Sequence, residues 1–314
     1  MQHLIDKYKR NDNIFRQFTL SASGLVLILA AAILIVLFLE SLTAIGEFGF
    51  INFIFSMDWD PYRQLFGAAP VIYGTFIVTV ISLIMAIPVA LGTAIYITQI
   101  LSGYIKEIIS ISIELLAAIP SIIYGMWGLY VLAPIMGQYV EPFLQSVFGS
   151  VPGIRIFFEG TPIGIDILTA SIVLSIMIIP FIASITREAF EQIPSILKES
   201  ATALASTKWE VISSVLLKYI KPNIIGGIIL AFGRALGETM AVAFVLGNRH
   251  DISFSLLDTT ATITVTLANE FNEADGDLYF SSLYLLAFLL FLLSFSLLSF
   301  AKYLSRRNSL DASR

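Results

Sequence analysis

Apolar residues occur along the chain in six long runs separated by shorter polar segments. Each run is long enough to cross the hydrocarbon core of a bilayer as a helix, which takes about 20 residues. The two-residue alternation of a membrane β-barrel is absent from the sequence, and open strand edges cannot lie in lipid, so the runs predict transmembrane α-helices. The predicted spans are about 19–40, 71–100, 108–135, 164–186, 221–247 and 279–302.

The composition excludes a water-soluble protein. Hydrophobic residues make up 57% of the 314 positions and charged residues only 13%, against roughly 25% charged in soluble domains. The chain has no cysteine and only two histidines, so no metal-ligand spacing is present. No P-loop sequence occurs, so we expect no ATPase site of this kind in the chain. We also expect no other enzyme activity, no cofactor in this chain and no nucleic-acid partner.

The distribution of Lys and Arg predicts the orientation. Of 18 such residues, 14 fall on the side that holds both termini, and only Arg63, Arg155 and Arg249 fall on the opposite side. By the positive-inside rule both termini face the cytoplasm. We therefore expect a multi-pass membrane protein with both termini in the cytoplasm. Its predicted parts are an N-terminal segment with the first helix and outer loop (1–70), a membrane core (71–304) and a cytoplasmic tail (305–314).

The polar segment 187–221 has helical periodicity and is predicted to lie on the cytoplasmic side. Pro194 should end one helix, Ser195 should cap a second, and Ser206 or Thr207 should cap a third. The third helix would carry an apolar side made of Trp209, Val211, Ile212, Val215 and Leu216. The segment is either a handle that a partner protein grips or an amphipathic helix on the inner leaflet, and the pattern alone does not choose between them.

Two charged residues, Arg234 and Glu238, lie within the fifth apolar run. Ionisable residues at membrane depth are costly and pair or line polar cavities. Their spacing of four would place both on one helix face as an ion pair, which either fixes packing or lines a translocation path. Glu114, in the third run, would either face Arg234 from a neighbouring helix or be hydrated near the cytoplasmic surface. The planar fork of arginine suits an oxyanion.

The polar segment resembles the EAA loop of ABC-importer permeases, which forms the coupling helix that docks into an ATPase subunit. The resemblance rests on Glu199, Ser200, Ala201 and Ala205, and these residues are implied to contact the ATPase. Ser200 replaces the usual Ala and Ala205 the usual Gly of that family. Lys218 stands where proline is usual.

A second resemblance, to the PstC-type permeases of phosphate ABC importers, covers most of the chain from about 70 to 302. It is carried by LLAAIPSIIYGMWGLYVLAP (115–134) and FGRALGETMAVAFVLGN (232–248). The resemblance implies an all-α type I importer permease fold in a bacterial or archaeal plasma (inner) membrane. The buried charges of Arg234, Glu238 and Glu114 are the predicted residues of its substrate path. The resemblance also implies a PstA-type sister permease as heterodimer partner, two PstB-type ATPases that bind ATP and Mg, a PstS-type phosphate-binding protein, and inorganic phosphate as solute.

Other functions remain open from the residues alone. A permease for sulfate or molybdate would use the same arginine chemistry. A proton-coupled secondary transporter would use Glu114 or Glu238 as a relay, although no internal repeat is found. A signalling scaffold would leave the buried charges without a role.

Overall fold

The computed structural model describes the backbone of residues 2–311 and, within it, the side chains of residues 12–303. The basic residues Lys7, Lys9 and Arg10 and the side chains of the tail 305–314 lie outside the described side chains. The described chain is helical and has no β-strand beyond isolated bridges. Its helices are α1 (Gln2–Glu40), α2 (Leu42–Phe48), α3 (Phe50–Phe55), α4 (Ala69–Ile95), α5 (Gly103–Ala117), α6 (Ser121–Trp127), α7 (Ala133–Ile135), α8 (Glu141–Phe148), α9 (Ile167–Glu191), α10 (Ser195–Ala203), α11 (Lys208–Glu210), α12 (Leu217–Leu236), α13 (Met240–Ala243), α14 (Ile263–Glu270) and α15 (Asp277–Asp311).

Five helical stretches are long and apolar enough to cross a membrane, which confirms a multi-pass architecture. They are Asp12–Glu40, Ala69–Ile100, Ile167–Glu191, Lys208–Leu236 and Asp277–Tyr303. A sixth crossing is formed if the bent pair of Gly103–Ala117 and Ser121–Phe148 counts as one span.

The centre of the bundle is the pair α4 and α9, with α12, α13 and α6 packed around it. Small residues such as Ala86 and Ala90 of α4 and Ala170 of α9 are fully buried there. Small side chains let helix backbones approach closely, which is the main source of packing energy between helices in lipid. These central helices hold the residues of the candidate site.

The first helix stands at the edge of the bundle and contacts α15 and α2. Phe38 of α1 meets Phe288 of α15 with ring centroids 5.6 Å apart. Mean hydropathy over its apolar window is 3.0, yet none of that window is buried within the chain. A helix that is apolar on all sides and exposed needs lipid or another apolar surface around it.

The third predicted span, 108–135, is wrong at both ends, because the bent helical pair covers Gly103–Ala117 and Ser121–Phe148. The helix α5 ends at Ala117, and α6 begins at Ser121 after a bend of 90°. Pro120 causes the break because proline lacks an N–H and disfavours helical geometry in the residue before it. The helical path then continues to Phe148, so much of the predicted outer loop 136–163 is helical.

The fifth predicted span, 221–247, is also wrong at both ends. The helical stretch begins at Lys208 and ends at Leu236, and only the short α13 follows. Gly237 is a weak helix former, and polar side chains such as Glu238 compete with the helix by bonding nearby backbone groups. The span is therefore interrupted within the sequence GRALGETMA.

Candidate functional site

Arg234 lies in the last turn of α12, where a cation is favoured by the helix dipole. Its side chain is exposed in the isolated chain, and its guanidinium carbon lies 5.7 Å from the ring centroid of Phe181 on α9. Tyr124 of α6 lies close enough to interact electrostatically with the Arg234 guanidinium. Among the described side chains, no carboxylate lies within ion-pair distance of Arg234. The guanidinium is therefore held by an aromatic face and is free to bind an anion.

The predicted ion pair between Arg234 and Glu238 is wrong, because the helix that would have placed them on one face ends between them. The side-chain Oε1 of Glu238 instead accepts a hydrogen bond of 3.1 Å from the N–H of Ala241. Glu238 thus caps the start of α13 from the position before the N-cap residue Thr239, whose own side chain makes no capping bond. The charge of Arg234 is not neutralised by this residue in the folded chain.

A narrow cavity beside Glu238 is lined by hydroxyl groups. Thr264 donates a 2.7 Å hydrogen bond to the backbone carbonyl of Glu238, and Thr75 accepts one of 2.9 Å from the N–H of Ile263. The cavity has a volume of only about 10 Å³, and its polar side chains are those of Thr75, Thr79, Glu238, Thr262 and Thr264. Sequence reasoning missed this threonine set, for which the run TTATITVT (259–266) was the available signal.

Close packing of α6 on α13 holds Tyr124 and the interrupted span together. A Cβ atom built on Gly125 would lie only 2.7 Å from the backbone oxygen of Met240. Only glycine permits that approach. The Tyr124 hydroxyl donates a 2.9 Å hydrogen bond to the carbonyl of Leu116, which fixes α6 against the end of α5. The bend at Pro120 therefore sets the position of Tyr124 near Arg234.

Glu114 does not face Arg234, so that interpretation is wrong. It forms an ion pair of 2.6 Å with Arg187 of α9, in which the Glu114 side chain is 53% exposed and that of Arg187 14% exposed. Sequence reasoning missed Arg187 because it placed this residue in the polar segment, whereas α9 continues to Glu191. The pair joins α5 to α9.

The segment after α9 has the predicted order of breaks and helices. Pro194 separates α9 from α10, and Thr207 caps the next helix in a reciprocal capping box with Glu210. Ser195 is the first residue of α10 and makes no side-chain capping bond, since the capping position is held by Pro194. The segment is thus a short helix between two long ones.

Glu199 and Ser200 on α10 are exposed, but Ala201 is buried against the end of α9 and the start of the next helix. Its predicted place on a face open to a partner is wrong, because its small side chain seats α10 on its own chain. Ala205 is exposed and has a left-handed backbone, φ 59°. The N–H of Ser206 bonds the carbonyl of Ala201, and the N–H of Ala205 bonds that of Thr202, which is a Schellman motif.

Large apolar side chains border α10 and face away from the bundle. They are Ile196, Leu204 and Trp209, of which Leu204 is 83% and Trp209 is 66% exposed. The predicted apolar side of the third helix is divided in the structure: Val211, Ile212 and Leu216 are buried, whereas Trp209 is exposed. An exposed apolar set of this kind is typical of a docking surface.

A second polar cluster lies at the end of the bundle opposite α10. His250 Nε2 lies 3.1 Å from Thr266 Oγ1 and 3.3 Å from Glu270 Oε1. Glu270 Oε2 accepts hydrogen bonds from Trp59 and Tyr279 at 2.9 and 2.6 Å. Burial lowers the pKa of His250 to about 4 and raises the pKa of Glu270. The cluster ties the loop before α4 to α14 and α15.

Comparisons with known proteins agree with this architecture. Residues 86–310 match the family described as binding-protein-dependent transport system inner membrane component. A phosphate transport system permease protein PstC of Mesorhizobium japonicum is 46% identical over 96% of this chain and 92% of its own length. One of Xylella fastidiosa is 48% identical over 82% of this chain and 80% of its own.

Solved structures show the same fold at low sequence identity. A bacterial alginate ABC transporter in complex with a pentasaccharide-bound periplasmic protein has a chain that matches with a TM-score of 0.60 at 16% identity. The match covers 94% of this chain and 96% of that one. The fold is that of a type I ABC importer permease. The chain therefore belongs to the binding-protein-dependent transport inner membrane components, and within them to the PstC family of phosphate transport permeases.

Proposed function

We propose that this chain is the permease subunit of an ATP-driven importer of inorganic phosphate and forms one half of its translocation pathway. The observation that carries the proposal is the unneutralised guanidinium of Arg234 within a membrane bundle whose relatives are named phosphate permeases. A membrane arginine without a carboxylate partner is costly unless water or an anion meets it.

Arg234 has the chemistry that a transient phosphate site needs. Its planar fork can donate two parallel hydrogen bonds to two phosphate oxygens. The ring of Phe181 holds the guanidinium without neutralising it. Because conduction requires a site weak enough to release its ion, a single arginine at a hydrated face is better suited than an enclosed cluster of cations. Glu238 and its threonines would keep the neighbouring surface polar, while Glu114 acts through Arg187 rather than in the path.

The exposed face that carries Arg234 implies a second permease. In the isolated chain this arginine is open to the surface, as are Leu230 and Met240 nearby in sequence. A sister permease of PstA type would cover this face and complete the pathway between the two subunits. The Arg234 side chain would then line the interface of a heterodimer.

The coupling role belongs to α10 and the exposed residues around it. Glu199, Ser200, Leu204 and Ala205 would contact one of two PstB-type ATPases, which bind ATP and Mg in place of this chain. The burial of Ala201 would transmit movement of α10 to α9. A PstS-type binding protein would deliver phosphate at the opposite end. The excess of Lys and Arg on the side of the termini and α10 supports placing these in the cytoplasm, with the protein in the inner (plasma) membrane.

The test is uptake of labelled phosphate into vesicles that contain the four-subunit complex and the binding protein. We expect uptake to require ATP, to persist when the proton gradient is collapsed, and to resist excess unlabelled sulfate or molybdate. Loss of uptake with the proton gradient would favour a secondary transporter. Equal competition by sulfate or molybdate would favour a permease for another oxyanion.

A further inference from the structure

Two buried carboxyl groups meet at the end of the bundle opposite α10, away from Arg234. Glu141 is the first residue of α8, and Asp166 immediately precedes α9. Their exposed fractions are 0% and 1%. Burial of two carboxylates side by side without a cation would be strongly unfavourable. Neither residue belongs to the anion path or to the α10 surface.

The hydrogen bonds of the two groups leave one oxygen of each without a donor. Glu141 Oε2 accepts from the N–H of Gly164 at 3.2 Å, and Asp166 Oδ1 accepts from the N–H of Thr169 at 2.7 Å. Glu141 Oε1 and Asp166 Oδ2 are buried and make no hydrogen bond to an N–H or O–H group, and the hydroxyl of Thr169 is the side-chain donor nearest to Asp166. The two carboxyl groups nevertheless lie within hydrogen-bond reach of each other. Two acceptor oxygens can make such a contact only if a proton or a metal ion lies between them.

The donor set favours the proton. A third unpartnered oxygen, Thr169 Oγ1, is buried nearby, but three oxygens fall well short of the roughly six to eight that calcium takes. Among the described residues, no group of three acidic, histidine or cysteine side chains could hold a metal ion. We propose that Glu141 and Asp166 share a single proton, which joins the arm from α6 to α8 to the start of α9.

Among the described side chains, no cation pairs with either carboxyl group. The loop packed on the start of α9 carries Asp258, but its carboxylate binds the hydroxyl of Ser253. The neighbouring groups on α9 and the preceding turn are the Thr169 hydroxyl and backbone N–H groups. Burial raises the pKa of Asp166 above its ordinary value. A raised pKa contributes stability that is complete at acidic pH and is lost as the pH rises through the folded-state pKa.

The backbone segments on either side of the two carboxyl groups are closely packed. A Cβ atom on Gly164 would lie 1.9 Å from the carbonyl oxygen of Ala133, and one on Gly137 would lie 2.8 Å from the carbonyl carbon of Ile163. The arm and the turn before α9 are therefore in direct backbone contact. Loss of the proton would set two negative charges against each other in this contact, and the arm would separate from α9.

The test compares amide variants of the assembled transporter in detergent. In Glu141→Gln the amide oxygen keeps the bond from Gly164, and the amide N–H replaces the shared proton at every pH. We expect the wild-type melting temperature to fall by several degrees between about pH 7 and about pH 10, and that of Glu141→Gln and Asp166→Asn to stay level. The double variant Glu141→Gln/Asp166→Asn should be less stable at every pH, because two N–H donors then face each other.

Glu159→Gln is the control, since Glu159 is an exposed carboxylate at the same end that pairs with Arg155. The melting temperature of Glu159→Gln should fall at alkaline pH by as much as that of the wild type. Infrared difference spectra between wild type and Glu141→Gln should show a protonated carboxyl band at neutral pH only in the wild type. The proposal would be overturned if the melting temperature of Glu141→Gln fell at alkaline pH as much as that of the wild type. It would also be overturned if calcium, magnesium or sodium ions raised the wild-type melting temperature and a chelator lowered it. These readouts do not depend on the transported solute, so their failure leaves the proposed function untouched.

Discussion

Ala205 adopts at the end of α10 a left-handed backbone that L-residues other than glycine, asparagine and aspartate rarely take. The resemblance to importer permeases placed a glycine at this position, and the Schellman motif explains why one is usual there. Ala205→Gly should stabilise the chain by about 1 kcal/mol because it removes this strain. The measurement is the melting temperature in detergent.

Ala203→Gly is the matched control for Ala205→Gly, since Ala203 is exposed in the last helical turn of α10. It should cost about 0.5–1 kcal/mol, because glycine weakens an ordinary helical position. If both glycine variants lowered the melting temperature equally, the assignment of Ala205 as the left-handed end of the helix would be contradicted.

Substitutions at Leu204 and Ala201 test ATPase docking and folding separately. Leu204→Asp should leave the melting temperature unchanged but reduce the amount of ATPase that co-purifies, because this exposed side chain is not needed by the fold. Ala201→Trp should lower the melting temperature, since overpacking a buried position costs about 1–3 kcal/mol. Ile154→Asp, at an exposed apolar position near the opposite end, is the control and should keep the ATPase bound. Full ATPase binding by Leu204→Asp would remove this edge from the coupling surface.

At the scale of elements, apolar run length was enough to predict which parts of the chain form membrane helices, but not the bounds of the third and fifth spans. Pro194 and Thr207 were enough to predict the breaks around α10. The interruption at Gly237 was not predicted, because the apolar pattern continues through it and hides the helix end. The partner of Glu114 was missed for a related reason. Only the length of α9, which depends on packing beyond its apolar run, brings Arg187 opposite Glu114.

Glu238→Gln distinguishes the observed cap from a packed ion pair. If Glu238 and Arg234 formed a buried ion pair, breaking it in this way would reduce the free energy of unfolding by roughly 3–5 kcal/mol. The structure has no such pair, and the glutamine oxygen can still accept from the N–H of Ala241. We therefore expect an unchanged melting temperature together with reduced phosphate uptake, because the charge beside the path is lost.

The comparison variant Glu238→Ala removes the cap and should cost about 1 kcal/mol. A large fall in melting temperature for Glu238→Gln would contradict the assignment of Glu238 as a cap. Unchanged stability with unchanged uptake would remove Glu238 from both roles.

For the whole molecule, the cluster of His250 and Glu270 links segments that are distant in sequence and should set the stability on the acidic side. The pKa of His250 is lowered to about 4 by burial, so from about pH 6.5 downward the unfolded chain binds a proton that the folded chain does not. Charging of His250 should lower the free energy of unfolding by up to about 3 kcal/mol by pH 4, and protonation of Glu270, whose pKa is raised by burial, offsets part of this loss. The melting temperature of His250→Gln should fall less steeply than that of the wild type as the pH is lowered. An equally steep fall in this variant would mean that other groups cause the loss of stability.

The central claim is that Arg234 meets phosphate in the pathway. Its most direct test is ATP-driven phosphate uptake by vesicles with the complete complex, measured for Arg234→Ala and Arg234→Lys against wild type. Both variants should assemble at normal levels. Uptake should be abolished in Arg234→Ala and poor in Arg234→Lys, because a point charge does not replace the planar fork. The exposed control Arg155→Ala should keep wild-type uptake. Near-normal uptake by Arg234→Ala at normal abundance would contradict the account.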